Sequence, residues 1–395
     1  MSEAIVRIAA RGDGVTASGR HVALAAPGDL LLDDGTIALG PGHQVPPCRH
    51  FPECGGCRLQ HLTDAAFAEY CEQRVAGALA QHGLETMIRP ALLSPPRTRR
   101  RASLHAFRLG GGVAIGFHEG QSKRIVDLRE CHILAPELFA LVQPLRQLLA
   151  PMMHPKRAAG VQMTLADQGV DLAINGVEAE GLAASEALTA FGERFNLSRL
   201  SLDEGYGAEA RYEPVPTTVT LSGIPVALPI NAFLQATRDG EAALVEAVRE
   251  GVGGASRTVD LFAGLGTFAL ALAGDVTAAE ASRDAILAVK AAAGRAGRPL
   301  VTAHRDLYRN PYQPSELAAF DAVVLDPPRA GAHEQVTALA ASSVARIAYV
   351  SCNPATFARD AETLVKGGYT LDWVQPVGQF RWSTHVEMAS AFSRR

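Results

Sequence analysis

The sequence predicts an α/β protein whose C-terminal half is a mostly parallel sheet covered by helices on both faces. Three observations carry this. Beyond about residue 229, apolar strands alternate with amphipathic helices: GEAALVEAVREGV reads as a helix, RTVDLFAGLG as a strand and turn, and DAVVLDPPRAG and ARIAYVSCNP as further strands with helices between them. One strand runs into a glycine turn and then a helix, VDLFAGLGTFALALA, a form in which backbone passes close to a ligand. Two other strands end in Asp326 and Cys352, and open α/β sheets bind ligands at the carboxyl ends of their strands. The expected divisions are a short β unit at 1–46, a cysteine-bearing loop with a β-rich central domain at 47–215, and the α/β domain at 216–395.

Residues 4–46 read as short strands broken by GDG, PGD and DDG, too few to bury much without a neighbour. LTDAAFAEYCEQRVAGALAQHG has helical spacing of apolar residues, with Thr63 as N-cap and Gly83 as stop. From 98 to 130 and from 160 to 224, alternation such as GVAIGFH, VQMTLA, VDLAING and TTVTLSG points to antiparallel strands.

With 48% hydrophobic residues the 395-residue chain can fill two or three cores. It has no apolar run of the ~18 to 20 residues that a membrane span needs, and its start lacks the apolar core of a secretory signal. A cytoplasmic protein is expected, without membrane partners. Thiols stay reduced there, so clustered cysteines point to a metal site before disulfides. The net charge of -4 does not mark a nucleic-acid binder. The mean hides a local run: PPRTRRRASLHAFR carries Arg97, Arg99, Arg100, Arg101 and Arg108 with no acid among them. Such a run either binds phosphates or forms a solvated strand face.

The glycine turn places Gly264 and Gly266 near a ligand. It also fits a nicotinamide fingerprint, with Glu280 about twenty residues past Asp260 to bind a ribose. Acidic residues near the turn and at the end of the next strand suit S-adenosylmethionine, which has ribose hydroxyls and a cationic sulfonium but no phosphates. Asp326, ahead of two prolines, is placed to meet cofactor or substrate; its other use is capping a turn. Cys352 sits where a strand gives way to a helix, whose N-terminus favours thiolate. A thiolate adds to C6 of a uracil, and C5 then accepts a methyl group. The C5 proton needs a base, and RWSTHVEMAS places His385 and Glu387 two apart, on one face of a last strand.

CxxxxxCGGCxLQH, NAFLQAT, DLFAGLGTF, DPPRAG, SCNP and HVE occur in this order from residue 48 to the C-terminal region. In this set the chain resembles the RNA uracil-5 methyltransferases. The resemblance implies a class I, Rossmann-like S-adenosylmethionine-dependent methyltransferase domain at the C-terminus. It also likens the N-terminal unit to a shortened oligonucleotide-binding (OB/TRAM-like) barrel. By matching motifs, Cys352 is the nucleophile and Glu387 the base. The cofactor contacts fall on Gln235, Phe262, Gly264, Thr267, Glu280, Asp306 and Asp326. Where the family often shows FPHT, this chain has Phe380, Arg381, Trp382, Ser383 and Thr384, a change in the pocket wall.

Cys48, Cys54 and Cys57 supply three metal ligands; Cys131 is the fourth candidate, since Cys71 lies in the expected helix. Four thiolates suit tetrahedral zinc or an iron–sulfur cluster equally. The resemblance implies a [4Fe–4S] cluster, as in ribosomal-RNA members of the family, with Gly55 and Gly56 wrapping it closely. The function expected is therefore methylation of C5 of a uridine in 23S ribosomal RNA by a monomer that does not act on DNA. Transfer RNA as substrate, an inert iron–sulfur RNA-binding protein and a nicotinamide oxidoreductase are the competing readings. The last gives no task to DPPR, SCNP or the cysteines.

Overall fold

The computed structural model describes residues 2–110, 112–120 and 122–394. Its largest sheet contains seven strands from the C-terminal half: β1 (Arg257–Leu261), β2 (Asp275–Glu280), β3 (Leu300–His304), β4 (Ala322–Leu325), β5 (Arg346–Ser351), β6 (Thr370–Gly378) and β7 (Glu387–Ser393). They lie in the order β3-β2-β1-β4-β5-β7-β6. The first five run parallel, and β7 inserts antiparallel between β5 and β6. The chain winds outward from β1 to β3 and then crosses to β4. The order therefore reverses between β1 and β4, and a crevice opens there at the strands' carboxyl ends.

The unbroken apolar runs of β4 and β5 follow from burial on both sides. Val323, Leu325, Ile347 and Tyr349 share one core with Val336, Phe357 and Leu364 of the helices His333–Ala340 and Pro354–Lys366. Val324, Ala348 and Val350 share another with Leu244 and Val248 of the helix Arg238–Val252. Alternate residues of one strand thus serve two cores.

The expected helix after the cysteines spans Asp64–Ala80; Thr63 Oγ1 accepts the Ala66 N–H at 3.3 Å, and Gly83 takes φ +67° just past its end. The short strands Met87–Ile88 and Leu92–Leu93 pair parallel with β6, so this part of the chain joins the C-terminal sheet.

The central sheet has six strands, ordered Ala208–Tyr212, Arg199–Asp203, Val170–Asn175, Ala158–Leu165, Arg101–Leu109, Gly112–Gly116. It is antiparallel except where Val170–Asn175 meets Arg199–Asp203. That parallel pair needs a crossover, which the helix Gly181–Arg194 supplies where only strands were expected. Thr218–Leu221 and Ile224–Ala227 form a separate hairpin, and Val219, Leu221 and Val226 pack on Ala285, Ala288 and Ala292 of the helix Arg283–Arg295.

The N-terminal unit is a small five-stranded antiparallel sheet. It leans on the cysteine loop, as its size requires: Ile8 and Ala26 share a core with Leu59 and Leu62. Among the described residues no helix is long and apolar enough to cross a membrane.

Candidate active site

The crevice between β1 and β4 widens into a cleft of about 1070 Å³. Gln235, Phe262, Gly264, Thr267, Glu280, Asp306, Asp326, Cys352 and Glu387 all line it. The sequence scatters these residues over 153 positions; the strand ends bring them together.

After β1 the chain turns through three left-handed residues, Phe262 (φ +64°), Gly264 (φ +52°) and Gly266 (φ +79°). A Cβ on Gly264 would meet nothing within 4 Å, so its glycine answers to φ alone; one on Gly266 would come within 3.1 Å of Val289. Glu280, ending β2, is pinned by two backbone donors, the Gly264 N–H at 2.9 Å and the Ser282 N–H at 2.6 Å. The Phe262 ring rests against that of Tyr308, with centroids 5.6 Å apart. Asp306 accepts the N–H of Tyr308 at 3.0 Å, which ties this wall together. Asp260, under the turn, accepts the Ala269 N–H; burial, with Glu280 adding to it, pushes its carboxyl up to about 7.

At the other wall, the antiparallel register of β5 and β7 ends at Ser351 opposite Met388. One step further along that register lie Cys352 and Glu387. Glu387 is buried, and desolvation raises its carboxyl to about 7 against a hydrogen bond from Gln379. The helix Pro354–Lys366 begins beside Cys352, with Asn353 as its cap. Its N-terminus does not win control of the thiol. Burial first, then the charges of Glu387 and Asp326, push Cys352 up to about 11, and only Arg329 among the nearby side chains pulls it down. Asp326 is driven up by burial and by Glu387 and Asp260. Its loop is held to the cysteine turn by the Arg329 carbonyl, which accepts from Asn353 Nδ2 and Thr356 Oγ1, both at 3.1 Å. His385 is not on the strand with Glu387, since β7 begins at Glu387; it lies in the preceding turn at the cleft mouth, its ring edge-on to Phe380.

The arginine run divides. Arg100 is buried, ion-paired with Glu241 at 2.5 Å and bonded to the Gln235 carbonyl at 3.0 Å. Arg108 donates to the Met153 carbonyl. Arg99 and Arg101 reach the cleft, over the rings of Phe380 and Phe233 at 5.8 and 4.6 Å from the centroids. Arg58, Arg305 and Arg329 join them there; Arg58 and Arg329 stand within the cysteine and DPPRAG stretches, whose motifs gave them no role.

Cys48, Cys54, Cys57 and Cys131 all line one small closed cavity, walled by Phe51, Phe117, Leu128 and Ile133. Among the described residues no group of three or more His, Cys, Asp or Glu side chains is arranged to hold a single metal ion. Burial raises all four thiols, Cys54 to about 11 and Cys57 to about 12. Three buried thiols and the half-buried Cys131 around one space fit a metal group whose binding displaces their protons. Cys71 lies apart, buried on its helix. The glycines of this loop serve the protein's own packing: a Cβ on Gly55 would strike the His118 carbonyl at 2.6 Å, and one on Gly56 the Phe117 ring at 3.1 Å. The Gly55 N–H is already given to His118 O. Gly56 and Phe117 line both this cavity and the large cleft, so the two share a wall.

The sequence model of the tRNA (uracil-5-)-methyltransferase family matches residues 305–395. A protein of Zymomonas mobilis called an uncharacterized RNA methyltransferase is 48% identical over 99% of this chain and 99% of its own length. The 23S rRNA (uracil(1939)-C(5))-methyltransferase of Thiobacillus denitrificans is 32% identical over 90% of this chain and 87% of its own. Among solved structures, the Pyrococcus abyssi tRNA (uracil-54, C5)-methyltransferase, in complex with S-adenosyl-L-homocysteine, covers 99% of this chain and 100% of its own with a TM-score of 0.75 at 23% identity. This last likeness shows the fold, the class I methyltransferase domain expected for the C-terminal half.

Proposed function

The chain belongs to the S-adenosylmethionine-dependent RNA (uracil-5-)-methyltransferases, and from that premise we propose that it methylates C5 of a uridine in 23S ribosomal RNA through a covalent bond between Cys352 and C6. The meeting of Cys352 and Glu387 in the cleft that also holds the glycine turn supports this reading.

Gln235, Phe262, Gly264, Thr267, Glu280, Asp306 and Asp326 are assigned to the cofactor, which supplies the methyl group as an electrophilic carbon on a sulfonium. Arg329 favours the thiolate of Cys352. The sulfur adds to C6, and the ring electrons pass to C5, which takes the methyl carbon. Glu387, ionised, removes the C5 proton; the C5–C6 double bond re-forms, and the bond to Cys352 breaks. Reaching C6 requires the uridine to leave its stack. Arg99 over Phe380 and Arg101 over Phe233 offer charged, planar surfaces for a splayed strand.

The ribosomal substrate is favoured by the relative from Thiobacillus denitrificans, whose name gives 23S rRNA as its target. Cys48, Cys54, Cys57 and Cys131 are assigned to a structural [4Fe–4S] cluster that fastens the loop forming one wall of the cleft. Iron, sulfide and zinc assays after anaerobic purification decide between the cluster and zinc.

Incubation with labelled S-adenosylmethionine and either 23S rRNA or tRNA transcripts, followed by mapping of 5-methyluridine, tests the substrate. Label at a uridine of the ribosomal transcript is expected. Label in tRNA alone moves the reading to tRNA, and label in neither removes it.

A further inference from the structure

We propose that Gln379 is a positioning residue of this site: it fixes which end of the Gln235 side-chain amide faces the cleft and braces the Glu387 carboxylate from behind. The inference rests on the roles proposed above for Gln235 and Glu387.

The two ends of a glutamine amide look alike, and their assignment depends on their partners. Here one partner has a fixed polarity. The backbone N–H of Ala236 only donates, and it lies 2.9 Å from Gln379 Oε1. Gln379 Nε2 is therefore the end that reaches Gln235, 2.8 Å from its Oε1. With that oxygen engaged, the Gln235 Nε2 hydrogens are left for the cleft, where Asp326 Oδ2 lies at 3.4 Å. Gln379 also acts on Glu387, lowering its carboxyl against the effect of burial. With Oε1 taken by the Ala236 N–H, Nε2 is the end left to do so.

The arrangement is closed to water, since Gln379 is 1% exposed. It is also crowded from below. A Cβ on Gly240, in the first turn of the helix Arg238–Val252, would come within 2.7 Å of the Gln379 Cβ. Gly240 thus crowds the root of the Gln379 side chain, and the Ala236 N–H fixes which end of its amide points where.

Burial holds the Glu387 carboxyl at about 7, and the hydrogen bond from Gln379 opposes that rise. Removing the donor raises it further. Cys352 beyond β5 and Asp326 beyond β4 are the titratable groups that feel the charge of this carboxyl; Asp260 acts on Asp326, Arg329 on Cys352, and Arg329 and His385 line the same cleft.

The test uses the full-length chain with Gln379→Met and Gln379→Glu. The first keeps the shape and loses both hydrogen-bonding functions; the second still accepts from Ala236 and does not donate when ionised. Each is expected to lower kcat/KM at neutral pH about ten- to hundredfold, to raise the KM for S-adenosylmethionine through Gln235, and to move the acid limb of the pH–rate profile upward through Glu387. A loss of packing alone would lower the rate equally at every pH. If Met fails to fold, Glu decides. Unchanged S-adenosylmethionine affinity together with an unchanged acid limb in the folded variants would overturn the inference. The parent and Glu387→Gln are run alongside with RNA. If Glu387→Gln accumulates no protein–RNA adduct, the reading of Glu387 has failed instead, and the S-adenosylmethionine arm still judges the bond from Gln379 to Gln235.

Discussion

Cys352 and Glu387 lie one register step beyond the last paired residues of adjacent antiparallel strands, Ser351 and Met388. The pairing of β5 with β7 is thus what sets a thiol beside a carboxylate. Their closeness has an electrostatic consequence, because the Glu387 charge adds to burial in holding the thiol at about 11. At rest the nucleophile is protonated, and Arg329 is the cation placed to favour the thiolate.

A base raised to about 7 by burial gives the reaction a defined pH dependence. Glu387 acts only when ionised and only after methyl transfer, so the rate at which the methylated Cys352–RNA adduct releases its product rises with pH through about 7 and falls away below it. A profile flat across this range in the parent contradicts the assignment of Glu387 as base.

Glu280 holds the glycine turn by accepting from Gly264 and Ser282. Glu280→Ala frees both backbone donors and removes the carboxylate assigned to the ribose. The expected result is a fall in S-adenosylmethionine affinity of about ten- to hundredfold by calorimetry, with the fold intact.

Arg100 and Glu241 form a pair whose side chains are 5% and 13% exposed. Removing one partner leaves the other charge buried, so Glu241→Ala is expected to cost about 3–5 kcal/mol in denaturant unfolding. Because Arg100 also binds the carbonyls of Gln235 and Ala236, the same change loosens the cofactor wall.

Arg58 stands at the cleft wall beside the cysteine loop. Arg58→Ala is expected to weaken RNA binding and to reduce the slope of log affinity against log salt by about one, as for the loss of one phosphate contact. A weaker affinity with an unchanged slope would assign Arg58 to the protein's own packing.

The parts of this molecule legible in the sequence are those governed by local pattern. The runs AVVL and RIAYVS read as buried strands because both faces are covered, and Thr63 and Gly83 marked a helix through backbone chemistry confined to a few residues. The helix Gly181–Arg194 did not stand out, since its neighbours alternate and its buried face is small, Leu188 and Phe191 with Gly192. The arginine run was misleading for a different reason. Its compensating acid, Glu241, lies 141 residues from Arg100 and meets it only after folding. Gln379 carries no motif at all; its place depends on the end of β6 closing against Ala236, a contact 143 residues apart.

The central claim is that Cys352 bonds to the pyrimidine, and covalent trapping tests it most directly. Target RNA bearing 5-fluorouridine has no C5 proton for Glu387 to remove, so the adduct persists after methyl transfer. Mass spectrometry of the denatured complex is expected to find the methylated nucleotide on the peptide containing Cys352, only when S-adenosylmethionine was present, and none with Cys352→Ala. An adduct carried by another residue, or one formed equally by Cys352→Ala, contradicts the account.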